Sequence, residues 1–225
     1  MNNNLKEIVA QIEKTVVDAS FENTIEPNKK FIGKIEYTNL TILYITVVKI
    51  DYLKFHSKSD FYNITNIDSL SKHIKGFPII YNKKIELIDY NDFKKHSTEF
   101  ALDGLDTGSF LIILSKTSDF NKDESFIGAT ELISSPYFIV DVNGNHLLYD
   151  AKNGSIKQGI YFKLYTQENN TFTEIYKGKT DENGLISLPK NYYWRLILEI
   201  GNKNHFSEIY HYSNYKRTKE KESTQ

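Results

Sequence analysis

The sequence predicts an all-β protein: two tandem seven-stranded antiparallel β-sandwiches with a short N-terminal helix. Three observations carry this. Apolar segments of four to ten residues recur at short intervals and are separated by turn residues. Many alternate with period two, as a half-buried strand requires. Tyr (16) and Phe (14) are abundant, and both favour strands. The stretch from Lys84 to Ser115 holds all three signals. Ile85 and Leu87 alternate with polar residues, Phe100 and Leu102 resume the pattern after the polar loop Asp89–Lys95, and Phe110–Leu114 is an apolar run behind a turn bracketed by Gly104 and Gly108.

In chain order, Leu5, Ile8, Val9 and Ile12 stand at helical spacing with charges between them. A helix of about three turns is unstable alone, so it is expected to dock on something. Thr15–Ile25 reads as one strand and Pro27-Asn28 as a turn. Phe31–Tyr37 is a strand, Thr38-Asn39 a turn, and Thr41–Ile50 (TILYITVVKI) the clearest central strand. Residues 51–76 form an excursion from the sheet, with a short helix at Ser69–Ile74 closed by Gly76 and Pro78. Ile79–Ile88, the two strands of the 84–115 stretch and Phe126–Ile133 bring the first sandwich, residues 15–133, to seven strands.

Pro136 cannot donate to a central sheet, so Ser134-Ser135-Pro136 marks the boundary to a second sandwich, residues 134–215. Its strands are Tyr137–Val142 and His146–Asp150, joined across Asn143-Gly144, then Ile160–Thr166, Phe172–Tyr176, Leu185–Leu188, Tyr192–Ile200 and Ser207–Tyr212. The expected cores are Ile45, Val47, Leu87, Phe110 and Ile112 in the first sandwich and Phe162, Leu164, Leu196 and Leu198 in the second. Residues 1–14 hold the helix, and 216–225 a charged linker or tail without an apolar residue.

Composition excludes several functions. Hydrophobic residues are 40% and charged ones 25%, so a packed fold is expected rather than disorder. A net charge of -1 leaves no broad footprint for nucleic acid, and no apolar run reaches the ~18 residues of a membrane span. No signal peptide is visible ahead of the charged helix. The absence of Cys removes disulfides, thiolate metal sites and a cysteine nucleophile.

No catalytic, cofactor or metal site is assigned. His56, His73, His96, His146, His205 and His211 form no HxH or HxxxH pair; His205 and His211 could meet across a hairpin, but read as surface or structural groups like the others. Asp89, Asp92, His96 and Glu99 cluster in a polar loop, where solvated carboxylates are expected to lack the raised pKa of acid–base catalysis. Ser97-Thr98 lies on no nucleophile elbow, Gly104–Gly108 is no phosphate loop, and Asp181–Gly184 reads as a turn, not a calcium loop. Tyr192, Tyr193, Trp194, Tyr210, Tyr212 and Tyr215 could form a sugar-stacking platform, although core aromatics explain them as well.

Several stretches, in order, resemble the bacterial alpha-2-macroglobulin family, in its large Gram-negative branch. They are Glu7–Ile50 with its Pro27-Asn28 turn and Tyr37-Thr38-Asn39-Leu40, then Asp89-Tyr90 with His96–Glu99, Gly108 and Phe110, and then Leu148–Tyr165 followed by Thr180–Pro189. Thr180–Gly184 matches that family's Thr-Asp-x-x-Gly pattern intact, whereas Asn153-Gly154-Ser155-Ile156 replaces its Thr-Gly-Lys-Pro. The resemblance implies macroglobulin (immunoglobulin-like) domains of a protease inhibitor that cages its target. It implies an exported protein of the periplasm or cell envelope, with neighbouring macroglobulin domains and proteases as partners. The family's thioester needs a Cys-x-x-Gln sequence, and this chain has no Cys. On this resemblance the opening helix is the end of a longer helical region and the chain is a fragment that serves as non-catalytic scaffold and not an enzyme; the alternative is a stand-alone sandwich binding a peptide or glycan.

Overall fold

The computed structural model describes residues 3–57, 67–120, 125–168, 170–189, 194–201 and 205–211. The chain divides into two compact units, Met1–Ser135 and Pro136–Gln225. Among the described residues the fold is all-β apart from three short helices, and each unit contains two sheets.

In the first unit, α1 (Asn3–Ile12) precedes β1 (Val16–Phe21), β2 (Thr24–Ile25), β3 (Phe31–Thr38) and β4 (Ile42–Ile50). The excursion contributes α2 (Tyr52–His56) and α3 (Ile67–Ile74), and β5 (Ile79–Glu86), β6 (His96–Leu102), β7 (Gly108–Ser115) and β8 (Phe126–Ser134) follow. One sheet has the order β1-β3-β6, the other β2-β8-β7-β4-β5. The segment expected as a single strand over Thr15–Ile25 is therefore two. Glu22 and Asn23 carry the chain from the edge of one sheet to the edge of the other, where β2 lies parallel to β8. The unit thus shows eight strands among the described residues instead of seven.

Strand β3 shows why alternation specifies register: Phe31, Ile35 and Tyr37 are buried while Ile32 and Lys34 are exposed. The inward rows of the two sheets meet in one core containing Ile45, Val47, Leu87, Phe110 and Ile112, all five expected from the sequence. Strand β7 is buried along its whole length, because its opposite face is covered too. Leu111 and Ile113 pack with Val48, Ile50, Phe55, Leu70, Ile74 and Phe120 in a second cluster. The excursion is thus a third layer on the outer face of the five-stranded sheet, and a continuous apolar run on β7 is what burial on both faces demands. Asp51 caps α2 by accepting the Lys54 N–H at 3.0 Å. His56, buried at the end of α2, lies 3.1 Å from the Glu131 carboxylate on β8 and fastens the layer.

The helix α1 does not behave as expected. Leu5, Ile8, Val9 and Ile12 are each about half exposed, and no described element covers them. The helix is held at its C-terminal end, where Asn39 Nδ2 donates to the carbonyls of Ile12 (2.7 Å) and Lys14 (3.2 Å). The Ile12 carbonyl is one that the helix itself leaves unpaired, and Lys14 lies just beyond the helix end. Asn39→Ala is therefore expected to leave the sandwich intact and to lower hydrogen-exchange protection of the α1 amides by about five-fold, the effect of losing a cap of about 1 kcal/mol.

The second unit comprises β9 (Tyr137–Val142), β10 (Asn145–Asp150), β11 (Tyr161–Glu168), β12 (Thr171–Lys179), β13 (Leu185–Ile186), β14 (Trp194–Ile200) and β15 (His205–His211). Its sheets run β13-β10-β9 and β12-β11-β14-β15. Asn143 and Gly144, both at positive φ (55° and 82°), close the β9–β10 hairpin as a two-residue turn. Phe162, Leu164, Leu196 and Leu198 form the core with Leu148, Ile186, Ile200 and Ile209, again as expected. The charged tail 216–225 lies outside the described residues.

Candidate functional site

Of the polar clusters weighed from the sequence, the structure assembles one, on the loop between β5 and β6. Leu87 is buried and its N–H donates to the Thr41 carbonyl at 2.8 Å, which ends the strand against the β3–β4 turn. The chain then leaves the sheet. Asp89 Oδ1 accepts the Asn91 N–H (2.9 Å), and Asp92 Oδ1 accepts the Lys94 N–H (3.0 Å). These are two successive Asx turns, the local structure that Asp favours. Asn91 and Phe93 occupy positive φ, 50° and 55°. The second is unusual for an aromatic residue and marks a backbone held by its surroundings.

His96, at the start of β6, closes the loop. Its ring stacks on Tyr90 with centroids 4.0 Å apart and planes 22° from parallel, and its Nε2 lies 2.8 Å from Asp92 Oδ1. The hydrogen bond to His96, aided by the Lys94 amide, holds the Asp92 carboxyl below its ordinary range. Beneath the loop, the Tyr37 hydroxyl donates to the Ile88 carbonyl at 3.0 Å, and burial pushes that phenol up. Tyr37, Asn39, Leu40 and the loop line a shallow surface hollow. Above it Ile88, Tyr90 and Phe93 remain exposed, at 64%, 52% and 56%. The loop thus presents three large apolar side chains to solvent. The Asp89 and Asp92 oxygens take backbone N–H groups, and the Asp92 carboxyl is held down rather than raised toward neutral pH as a general acid requires.

Glu99, expected in the same cluster, stands farther along β6, opposite Lys34. The sequence places Tyr37, Asn39 and Tyr90 in the stretches that carry the family resemblance but does not join them, or Phe93, to the Asp89, Asp92 and His96 cluster. An Asn in a tight turn was the one available signal, since Asn39 sits at φ 53°.

The remaining histidines do not converge. His56 is buried beside Glu131, and His73 meets the edge of the Phe55 ring at 6.5 Å. His146 is buried with Nδ1 4.0 Å from Asp141 Oδ2. His205 and His211 cannot face each other across a hairpin, because both lie on β15, opposite Ile200 and Trp194 at the two ends of its ladder. Among the described residues no three His, Cys, Asp or Glu side chains are placed to hold a metal ion. No described helix is long and apolar enough to cross a membrane. The proposed aromatic platform falls on residues whose side chains lie outside the described set.

In the second unit, Thr180–Gly184 is a staple rather than a ligand site. Thr180 is buried, and its hydroxyl donates to the Lys157 carbonyl (2.6 Å) and accepts the Ile160 N–H (3.0 Å). Asp181 Oδ1 takes the N–H groups of Asn183 (2.9 Å) and Leu185 (2.8 Å). Gly184, at φ 73°, lies so close to β10 that a Cβ would stand 2.9 Å from the Leu148 carbonyl oxygen. Thr180→Val keeps the shape but leaves the part-buried Ile160 N–H and Lys157 carbonyl without their partner. It is expected to lower the stability of the second unit by about 2 kcal/mol in urea denaturation.

No protein-family model matches this chain, and no curated protein matches it. Among solved structures, a crystal structure of Salmonella alpha-2-macroglobulin reacted with methylamine aligns at 9% identity and a TM-score of 0.36. The alignment covers 88% of this chain and 17% of that one. An overlap of this quality establishes neither a shared fold nor a shared activity.

Proposed function

We propose that the chain is scaffold: a non-catalytic segment of a protease-trapping protein of the alpha-2-macroglobulin type, exported to the periplasm or cell envelope. Its two units are then macroglobulin-like domains that position neighbouring domains of a longer protein. The observation that carries this reading is that the stretches resembling the family meet one another as braces. Tyr37 and Asn39, from the Tyr-x-Asn-Leu stretch, line the same hollow as Asp89–His96. Tyr37 also fixes the Ile88 carbonyl. The Pro27-Asn28 turn is bonded to the loop before Gly108, with the Asn28 N–H donating to the Leu105 carbonyl at 2.7 Å. Thr180–Gly184 staples the second unit. Contacts that fix the shape of a loop or turn are what a positioning segment needs.

The test is to isolate the native protein with an antibody against this chain and incubate it with trypsin or subtilisin. A cage leaves the protease active on a small chromogenic peptide and shields it from a large substrate such as casein. The expected result is co-elution of protease with a protein far larger than 225 residues, with casein cleavage lost and peptide cleavage kept. A native protein of this length that retains no protease sinks the reading. In that case the exposed Tyr90 and Phe93 favour the second reading, a binding module for a peptide or glycan.

A further inference from the structure

A sandwich sheet ends in two edge strands, and each presents unpaired backbone N–H and C=O groups that invite a further strand. The first unit has four such edges, β1 and β6 on one sheet and β2 and β5 on the other. Three are blunted. Strand β2 is two residues long. Strand β5 carries a bulge at Ile80, where the register with β4 slips between Val47 and Val48, and it bears Lys83 and Lys84. Beside β6, Lys83 Nζ donates to the Ala101 carbonyl (2.6 Å) and the Tyr81 hydroxyl to the Asp103 carbonyl (3.3 Å), so side chains from β5 occupy that flank.

Strand β1 has none of these devices. It runs six residues, VVDASF, in unbroken register with β3, without Lys, Arg, Pro or Gly. No described backbone group other than β3 bonds to it. Its inward row, Val17, Ala19 and Phe21, packs on the core yet stays only half-buried. A strand laid alongside would complete that burial.

The charge pattern states what the strand should carry. On the outward row Asp18 stands opposite Glu36, a like-charge pair that disfavours the ladder. Glu36 is relieved by ion pairs to Lys34 and Lys95, which hold its carboxyl down at about 2. The Asp18 carboxylate has no hydrogen bond or ion pair with a described residue; Lys95, paired with Glu36, acts on it only at longer range. We infer that β1 is a docking edge for an extended segment of another polypeptide, one with apolar side chains at alternate positions facing the core and a lysine or arginine beside Asp18. This goes beyond the scaffold reading and does not depend on it.

The probe is acetyl-TVKVKVT-amide, which sets a valine row against a lysine row, with acetyl-TVEVEVT-amide as its charge-reversed control. Each is added to the isotopically labelled full chain at near-physiological salt, and amide exchange is followed residue by residue. The lysine peptide is expected to protect amides within residues 16–21, and the glutamate peptide is not. Asp18→Lys, an exposed outward position, is expected to weaken the lysine peptide by about ten-fold and to admit the glutamate peptide. Unchanged exchange across the β3–β6 ladder shows that the variant is folded. The inference is overturned if residues 16–21 gain no protection, if protection falls on β5 or β12 instead, or if Asp18→Lys leaves the peptide preference unchanged. It is equally overturned if the chain alone self-associates through β1, since the occupant is then a second copy.

Discussion

Gly104→Ala is expected to lower the stability of the first unit by about 3 kcal/mol, a large effect for one methyl group. Gly104 sits in the loop between β6 and β7, where the backbone lies flat on the turn after β2. A Cβ there would stand 2.7 Å from both the Asn28 carbonyl oxygen and the Lys29 nitrogen. Those are backbone atoms, so no rotamer change relieves the clash. Nor can the loop lift away cheaply. The Leu105 carbonyl accepts the Asn28 N–H at 2.7 Å and the buried Ser134 hydroxyl at 3.1 Å, and the Leu105 side chain is buried in the core. Lifting the loop breaks both bonds and opens the core beneath them. Gly128→Ala is the control: nothing lies within 4 Å of a Cβ at that site, and the change is expected to stay within about 0.5 kcal/mol. Urea denaturation should show a lower midpoint with an unchanged slope for Gly104→Ala and neither change for Gly128→Ala. Equal stability of the two variants would mean that the loop and the turn are not packed together.

The second large effect is acid destabilisation of the second unit through His205. This side chain is buried at the start of β15, and burial depresses its pKa from 6.5 to about 4. The unfolded chain therefore takes up the proton at a higher pH than the folded one. Stability from this group is fully present above about pH 6.5, falls as the pH drops toward about 4, and levels off below. Each pH unit in that window is worth about 1.4 kcal/mol, so the full loss is on the order of 3 kcal/mol. The chain's single tryptophan, Trp194, lies on β14 within the same sheet and gives a fluorescence signal for this unit alone. His205→Leu is expected to flatten the profile between pH 6.5 and 4.5, whatever its effect at pH 7. A variant that keeps the full acid dependence would place the titrating group elsewhere.

Much of the fold was legible in local pattern. Alternation along Phe31–Tyr37 and the β-branched run Thr41–Ile50 identified inward rows, and the Asn143-Gly144 turn fixed a hairpin, because period-two burial and turn chemistry act between near neighbours. The strand over Thr15–Ile25 was misread because nothing local says that Glu22 and Asn23 carry the chain across to the other sheet. The helix α1 was expected to dock because its apolar spacing is clear, yet spacing does not supply a covering surface. The candidate loop was half legible. Asp89, Asp92 and His96 stood out as a polar cluster. Their use in two Asx turns and a stacked ring depends on how the loop closes over Tyr37, 51 residues from Ile88 along the chain.

The sequence by itself determined the all-β class, the core rows and the exclusion of thiolate chemistry, since these follow from composition and from the period of burial. Only the tertiary structure decided which turns brace each other, which side chains fasten the excursion to the sheet, and which sheet edge no other described strand covers. Those depend on contacts between residues far apart in the chain, such as Asn28 with Leu105 and Lys83 with Ala101. Local propensity is blind to such contacts, because their free energy appears only when the sheets have closed on each other.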